Sequence, residues 1–331
     1  MKSFVLRLFI SLLGVYGLLL PEARAQPLVN FMAPTRPAPE AIVFKRIGEQ
    51  DLKLYIYRPV GLTTGERRPA LVCIHGGAWR AGGADVFFPH AAYFAARGFV
   101  GVSIEYRLLT QPLDGVSMGD CLADCKSAMR YLRAHSAELG IDPTRIAVIG
   151  DSAGGHLAGA LGTVPEFDDP SDDLAINATP DAMILCNPIV DVTEGSGINF
   201  IIRSAALDKT SSPAAQVPTP AHLELARKLS PLHRVHVGQP PTLLMHGLQD
   251  RIVTPEQARR FDAAYRAVGN RCDLVLLPDA SHAFVMTNYR ATEPEVVAVI
   301  RRVDEFLISL GWLTGPPTLT ASEPPAWDTK K

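Results

Sequence analysis

The stretch "VIGDSAGGHLAG", residues 148–159, places a serine between an apolar, β-branched run and a segment rich in glycine. Val148 and Ile149 are typical of a buried strand, and the small residues after Ser152 favour a closely packed helix. Residues 150–154 match the pattern G-x-S-x-G. Such a turn strains the serine backbone, and side chains in place of its glycines would collide with their neighbours. The stretch therefore predicts a serine hydroxyl that projects from a sharp strand-to-helix turn.

This serine would stand at the amino terminus of the predicted helix. Unpaired N–H groups and the helix dipole favour negative charge there. A glycine-rich turn that only packs a helix on a strand is the simpler interpretation of residues 150–154 alone. The strand before the serine and the helix after it favour a nucleophile instead.

Short apolar runs alternate with helical patterns along the remaining chain. A hairpin is predicted around Gly48, and further strands are predicted at 69–77, 99–107, 145–150, 182–190, 240–247 and 273–280. Helices are predicted at 87–97, 120–135, 220–229, 254–268 and 294–310. The alternation predicts an α/β fold with a mostly parallel central sheet of about eight strands and helices on both faces. Segment 192–232 breaks the alternation and is expected to form a small lid insertion over the sheet.

A serine hydroxyl is a weak nucleophile that needs a base, and the base needs an orienting acid. In a sheet fold with this turn, the chain order is serine, acid, histidine. Asp250 follows the strand at 240–247, and His282 follows the strand at 273–280. Both are therefore expected at the carboxyl edge of the sheet, where they can converge on Ser152.

Other candidates for acid and base are placed less well. Asp191 also follows a strand and is the strongest rival acid. His156 lies four residues along the helix from Ser152 and is expected to pack or to make a local hydrogen bond. His233 and His236 are expected to face solvent in a polar loop.

A third requirement of this chemistry is a set of donors for the oxyanion. The loop in "IHGGAWRAGG", residues 74–83, contains adjacent glycines, so its backbone N–H groups can approach a substrate oxygen together with the N–H of Ala153. A simple glycine turn is the alternative for this loop taken alone. Trp79 and Phe284 are expected to line the substrate pocket, although plain packing would explain each of them equally well.

The amino terminus has the pattern of a secretory signal. Lys2 and Arg7 precede an apolar run, residues 8–20, and Ala23-Arg24-Ala25 offers small residues for cleavage. The run of about 13 residues is shorter than the roughly 20 needed to span a bilayer. We expect a signal peptide at 1–25, secreted or periplasmic localisation, a proline-rich linker at 26–40, a catalytic domain at 41–314 and a flexible tail at 315–331.

Composition excludes some classes of partner and site. The net charge of the 331 residues is −2, which gives no electrostatic case for nucleic acid or an anionic membrane. The chain has five cysteines, none with the spacing of a zinc site, and small buried thiols explain them best. For the acidic run "FDDPSDD", residues 167–173, a solvated loop is favoured over a calcium site. No metal and no cofactor is predicted.

Several of these motifs together resemble the α/β-hydrolase fold and its esterase/lipase family. The matching stretches include "HGGAW", "SIEYRL", "DSAGGHLA", "HGLQDRIVTPEQA" and "SHAF", between about residues 69 and 285. They are similar to hormone-sensitive-lipase-type esterases and, more narrowly, to feruloyl- and acetylxylan-esterase-like proteins. The resemblance implies that Ser152 is the nucleophile, Asp250 the acid and His282 the base. It further implies oxyanion donors at Gly77, Ala78 and Ala153, with Ala78 standing where lipase-type relatives carry a third glycine.

Together with the signal pattern at 1–25, the resemblance implies a secreted serine hydrolase that cleaves short acyl esters, and acetyl or feruloyl groups on plant polysaccharide are the substrates that we expect. An arylformamidase-like amidase and a general short-chain esterase or lipase are alternative enzymes with the same machinery. A binding protein on an inactive hydrolase scaffold is a further alternative, but such proteins typically lose a residue of the triad, and here all three are present.

Overall fold

The computed structural model describes residues 26–27, 38–109, 115–205, 217–286 and 291–320. The predicted signal peptide lies outside these residues, as do most of the predicted linker and the last eleven residues of the predicted tail. Within the described ranges, no helix combines the length and apolar character that crossing a membrane requires.

Eight strands form the central sheet: β1 (Glu40–Ile47), β2 (Gln50–Tyr57), β3 (Arg68–Ile74), β4 (Val100–Ile104), β5 (Ile141–Asp151), β6 (Ala182–Cys186), β7 (Thr242–Gly247) and β8 (Cys272–Leu277). Their order across the sheet is β1-β2-β4-β3-β5-β6-β7-β8. Pairs β1–β2 and β2–β4 are antiparallel, and all other neighbours are parallel. The predicted mostly parallel sheet is confirmed, and its parallel strands end at one edge.

Helices follow the strands along the chain: α1 (Phe88–Ala96), α2 (Met118–Ala134), α3 (Ser136–Leu139), α4 (Ala153–Thr163), α5 (Gly195–Ala205), α6 (Pro220–Leu229), α7 (Pro255–Ala267) and α8 (Glu293–Ser309). Helix α2 begins two residues before the predicted start because Ser117 and Asp120 form a capping box. The Asp120 N–H donates to Ser117 Oγ at 3.2 Å, and the Ser117 N–H donates to Asp120 Oδ2 at 2.8 Å. An aspartate replaces the more usual glutamate in this box, which weakens its signal in the sequence.

Apolar side chains fill a core on each face of the sheet. Val72 and Ile74 of β3 belong to the core that includes α2 and α4. Leu71 and Cys73 of the same strand belong to the core that includes α1 and α8. Successive side chains of a strand point to opposite faces, so a strand buried on both faces is apolar at every position. All five cysteines are buried free thiols.

Of the predicted lid at 192–232, the structure describes residues 192–205 and 217–232, and residues 206–216 lie outside the described residues. The segment contains α5 and α6, and the Phe200 ring of α5 meets the Trp79 ring edge-on at 5.4 Å between centroids. The carbonyl of Leu229, at the end of α6, lies 2.9 Å from Nε2 of His156 in α4. The segment therefore contacts both the loop after β3 and the helix that follows Ser152.

The two ends of the domain meet in a short parallel ladder. Gln26 pairs with Leu319, and Pro27 pairs with Thr320. Leu319 is only 1% exposed and belongs to the core that includes α1 and α8. The first residues of the predicted tail thus pack on the domain and pair with the start of the predicted linker.

Candidate active site

Ser152 occupies the turn between β5 and α4. Its backbone has φ 54° and ψ −116°, a conformation that L-residues rarely adopt. Its N–H donates to the carbonyl of Cys186 in the neighbouring strand β6 at 3.0 Å. A Cβ on Gly150 would lie 2.1 Å from the carbonyl oxygen of Gly154, and one on Gly154 would lie 2.1 Å from that of Ile74. Only glycine fits at these two positions, which explains the motif.

Ser152, His282 and Asp250 lie together at the carboxyl edge of the sheet. Nε2 of His282 is 2.9 Å from Oγ of Ser152, and Nδ1 of His282 is 2.7 Å from Oδ2 of Asp250. A carboxylate only accepts hydrogen bonds, so Nδ1 carries the imidazole proton and the lone pair of Nε2 faces the serine hydroxyl. This is the arrangement in which a histidine can accept a proton from serine.

Asp250 is ionised in this arrangement. Burial alone would raise the pKa of its carboxyl, but hydrogen bonds from His246 and His282, the charge interaction with His282 and the N–H of Val253 outweigh burial and hold the pKa well below its usual range. The N–H groups of Ile252 and Val253 donate to Oδ1 at 2.8 and 2.9 Å. The turn after Asp250 therefore fixes one carboxylate oxygen, and Oδ2 faces His282.

A second buried acid lies beside the serine. Asp151 is 4% exposed, and its Oδ1 accepts a hydrogen bond from Nδ2 of Asn187 at 2.8 Å. Burial raises the pKa of Asp151 to about 6, although the charge of His282 and the Asn187 hydrogen bond oppose that shift. Asn187 follows β6 with φ 37°, and its N–H donates to the carbonyl of Met245 at 2.8 Å. Neither residue was predicted as part of the site, because a lone aspartate or asparagine carries no distinguishing sequence pattern.

The loop after β3 lies beside Ser152 and lines the same cavity. Gly77 has φ 115° and Ala78 has φ 54°. A Cβ on Gly77 would lie 2.1 Å from the carbonyl oxygen of Ala81, so this position also requires glycine. In the described part of the chain, the N–H groups of Gly77 and Ala78 have no hydrogen-bond partner. Ala153 begins α4, and a first-turn N–H has no partner within its own helix.

A cavity of about 380 Å³ opens above Ser152. Two walls come from the loop after β3 and from the loop that carries His282, and the lining residues are Gly76, Gly77, Ala78, Gly82, Val86, Asp151, Ser152, Ile252, His282, Ala283 and Met286. Most of these side chains are small or apolar. The cavity can therefore take a compact apolar group next to the serine hydroxyl.

The expectation that Trp79 and Phe284 line the pocket does not hold, because neither residue contributes to this cavity. Trp79 is fully buried, and its Nε1–H donates to Nδ1 of His156 at 3.2 Å. Phe284 is 1% exposed and belongs to the core that includes α1 and α8. In each case the backbone turn directs the bulky side chain inward, while the smaller neighbours Ala78 and Ala283, both at positive φ, face the cavity.

The rival candidates lie away from the serine hydroxyl. His156 is fully buried between Trp79 and Leu229, and burial lowers its pKa to about 4. Asp191 pairs with Arg260 at 3.2 Å and with the exposed His233 at 3.3 Å. His236 is exposed in the same polar loop. These contacts give each residue a structural role.

The acidic run at 167–173 pairs with cationic side chains of the protein. Asp168 and Asp172 contact Arg130 of α2, and Asp169 contacts Lys45 of β1 at 2.6 Å. Across the ranges that the structure describes, no group of three or more His, Cys, Asp and Glu side chains is arranged to hold a metal ion. The run thus anchors its loop to α2 and β1.

Known proteins that are similar to this chain include a family model and several esterases. The family model BD-FAE matches residues 54–265. Esterase LipC of Mycobacterium tuberculosis (strain ATCC 25618 / H37Rv) is 29% identical over 306 residues, which cover 88% of this chain and 73% of LipC. Esterase LipQ of the same strain is 29% identical over 254 residues, which cover 72% of this chain and 55% of LipQ. The chain thus spans just over half the length of LipQ.

Solved structures of esterase 2 from Thermogutta terrifontis are similar over almost their whole length. The native enzyme is 35% identical with a TM-score of 0.72, and the match covers 84% of this chain and 94% of that chain. The propionate-bound form of the same esterase matches with the same TM-score and identity over 85% of this chain and 98% of that chain. The family match over residues 54–265 and the shared esterase fold show that this chain belongs to the BD-FAE family and is an esterase of the α/β-hydrolase type.

Proposed function

We propose that Ser152, His282 and Asp250 form a catalytic triad that hydrolyses carboxylic esters through an acyl-enzyme. The observation that carries this proposal is the continuous hydrogen-bond chain from Ser152 Oγ through the imidazole to Asp250, with heavy-atom distances of 2.9 and 2.7 Å. This series of hydrogen bonds starts at a serine that lines the cavity and ends at a buried carboxylate.

The reaction begins when Ser152 Oγ attacks the ester carbonyl carbon and its proton passes to Nε2 of His282. The tetrahedral intermediate collapses, the carbon–oxygen bond to the alcohol breaks, and the alcohol takes the proton from Nε2. Water then enters, gives a proton to Nε2 and attacks the acyl-enzyme. Collapse of the second intermediate returns that proton to Ser152 and releases the acid. Asp250 stabilises the imidazolium that forms in each half of the cycle.

The oxyanion of each intermediate is stabilised by the backbone N–H groups of Gly77, Ala78 and Ala153. The first two are unpaired in the described part of the chain, and the third lies at the positive end of α4. Donors that are already oriented need no rearrangement as charge develops on the carbonyl oxygen. Ala78 serves as well as glycine here, because only its N–H is needed and its backbone already has φ 54°.

The lining of the cavity favours an acyl group with an apolar surface. Ala78, Val86, Ala283 and Met286 give it a compact apolar wall. Esterase 2 from Thermogutta terrifontis, of similar fold, has been solved with propionate and with butyrate bound. The natural substrates that we propose are acetyl or feruloyl esters, in particular esters of plant polysaccharide. The signal-like segment at 1–25 supports export, which would bring the enzyme to such polymers.

The mechanism is tested with Ser152→Ala. Hydrolysis of p-nitrophenyl acetate should fall by at least about 10³-fold in kcat at an unchanged melting temperature, because the nucleophile is lost while the packing stays. A fluorophosphonate should label the wild type and leave the variant unlabelled. Full activity of Ser152→Ala would overturn the mechanism.

The substrate is tested by acetate release from acetylated xylan, beside ferulate release from methyl ferulate and turnover of N-formylkynurenine. Release of acetate from xylan by the wild type, absent in Ser152→Ala, is the expected result. Hydrolysis of p-nitrophenyl acetate alone would reject the polysaccharide substrate and keep the esterase. Faster turnover of the formamide than of every ester would favour an arylformamidase-like amidase.

A further inference from the structure

The carboxylate of Asp250 has a fourth hydrogen-bond donor besides His282 and its own turn. Nε2 of His246 lies 3.3 Å from Asp250 Oδ2, the same oxygen that accepts from His282. The side chains of His246 and Asp250 are both fully buried. Oδ2 thus sits between two imidazole rings, and bulk water does not reach it.

The contacts of His246 determine where its proton lies. Nε2 is 2.9 Å from the carbonyl oxygen of Val253, which can only accept. Nε2 therefore carries the proton and donates it to the carbonyl at 2.9 Å, and it makes a longer contact of 3.3 Å with Asp250 Oδ2. Nδ1 of His246 is buried and finds no partner among the described residues. A buried polar nitrogen without a partner calls for an explanation, because an apolar side chain would fill the space without it.

We propose that His246 is a positioning residue, which holds Asp250 so that Oδ2 stays on Nδ1 of His282. This inference rests on the proposed triad. His246 belongs to β7, inside the sheet, whereas Asp250 lies in the loop that follows. By binding both Oδ2 and the Val253 carbonyl, His246 ties the loop to the strand at two points.

The fixed direction of Oδ2 matters because His282 has no other partner for Nδ1 among the described residues. Rotation about the last side-chain bond of Asp250 would move both carboxylate oxygens, and the two backbone N–H groups that hold Oδ1 already oppose it. The N–H of His246, close to Oδ2, adds a restraint on the oxygen that faces His282. Small displacements of a catalytic group lower the rate steeply, so loss of this restraint should reduce kcat more than it changes KM.

The first test compares His246→Leu with His246→Gln. Leucine removes the donor and keeps the volume roughly filled, whereas glutamine can place an amide N–H near the position of Nε2. We expect kcat for p-nitrophenyl acetate to fall by about 10-fold or more in His246→Leu, with KM little changed, and to be largely restored in His246→Gln. Wild-type kcat in His246→Leu would overturn the proposal and leave the esterase function standing.

The second test asks whether His246 acts through Asp250. In the Asp250→Asn background, His246→Leu should cost less than about twofold in kcat, because the residue that it positions is already impaired. His90→Leu is the matched control, since His90 is also buried but contacts the carbonyl of Val285 instead. Any loss from His90→Leu should be the same in the wild type and in the Asp250→Asn background.

Additive losses for His246→Leu and Asp250→Asn would show a purely structural role and overturn the proposal. If His246→Leu does not fold, the comparison of His246→Gln with the wild type decides, and an inactive but folded glutamine variant would count against the role of the N–H.

Proton NMR gives an independent signature. The downfield signal of the His282 Nδ1 proton should be sharp in the wild type and in His246→Gln. If the wild type does not hydrolyse p-nitrophenyl acetate, or if Ser152→Ala keeps full activity, the proposed function itself is contradicted.

Discussion

At the scale of single residues, the site concentrates unusual backbone conformations and unusual charge. Five described residues other than glycine have positive φ in the loops around the cavity and in the turn at the serine: Ala78, Trp79, Ser152, Asn187 and Ala283. Strained positions of this kind persist only where the surrounding structure fixes them. The dense packing of the sheet edge therefore holds the geometry of the site.

Asp151 makes stability depend on pH. Its folded pKa of about 6 lies above the 3.8 of an ordinary aspartate, so the folded protein keeps a proton that the unfolded chain releases. The resulting loss of stability is absent below about pH 4 and complete above about pH 6. Asp151→Asn should therefore stabilise the protein by about 2 kcal/mol more at pH 8 than at pH 4.

Urea denaturation of wild type and Asp151→Asn at both pH values measures this difference. An Asp151→Asn effect that is the same at both pH values would show that the folded protein does not retain the proton.

At the scale of elements, the junction of β5 with α4 depends on close backbone contact. Gly154 lies against the carbonyls of Ile74 and His75 in the neighbouring strand and loop. A Cβ on Gly159, further along α4, would lie 3.3 Å from the ring of Pro231 as its closest neighbour. The two glycines share a helix but differ in what a methyl group would meet.

Gly154→Ala should lower the free energy of unfolding by at least about 2 kcal/mol, because backbone atoms cannot move aside as a flexible side chain can. Gly159→Ala should stay within about 1 kcal/mol of wild type, since the gain in helix propensity offsets a tight contact. Urea denaturation of the two variants measures both values. Equal effects would contradict the assignment of the clash to the junction.

At the scale of the whole molecule, residues 315–320 pack against two helices of the domain. Arg97, which follows α1, binds Asp304 of α8 at 3.1 Å and the carbonyl of Gly315 at 3.3 Å. Four residues after Gly315, Leu319 packs in the core that includes α1 and α8 and pairs with Gln26. Residues 315–320 are therefore part of the packed fold.

Leu319→Ala should lower the free energy of unfolding by about 2 kcal/mol, because it removes buried methyl groups from a closed core. Leu174 is 58% exposed, and Leu174→Ala should change stability by less than about 0.5 kcal/mol. Thermal and urea denaturation of the two variants compare them. A silent Leu319→Ala would mean that the tail contributes nothing to the fold.

The local sequence was sufficient for the strand and helix pattern, the turn at Ser152 and the positions of Asp250 and His282 in the loops after β7 and β8. Strands buried on both faces are apolar throughout, and parallel strands end at one edge, so residues that follow them are brought together by topology alone. The glycines of the turn at Ser152 mark close backbone contact, which other residues cannot provide.

Tertiary structure alone decided which side chains face the cavity. Trp79 and Phe284 are buried, whereas their neighbours Ala78 and Ala283 line the cavity. The contacts Asp151–Asn187 and His246–Asp250 could be identified only from the structure. The first pair is 36 residues apart in the sequence, and the second pair is brought together by a turn. Such contacts depend on burial and on angles between loops, and neither leaves a period or a spacing in the sequence.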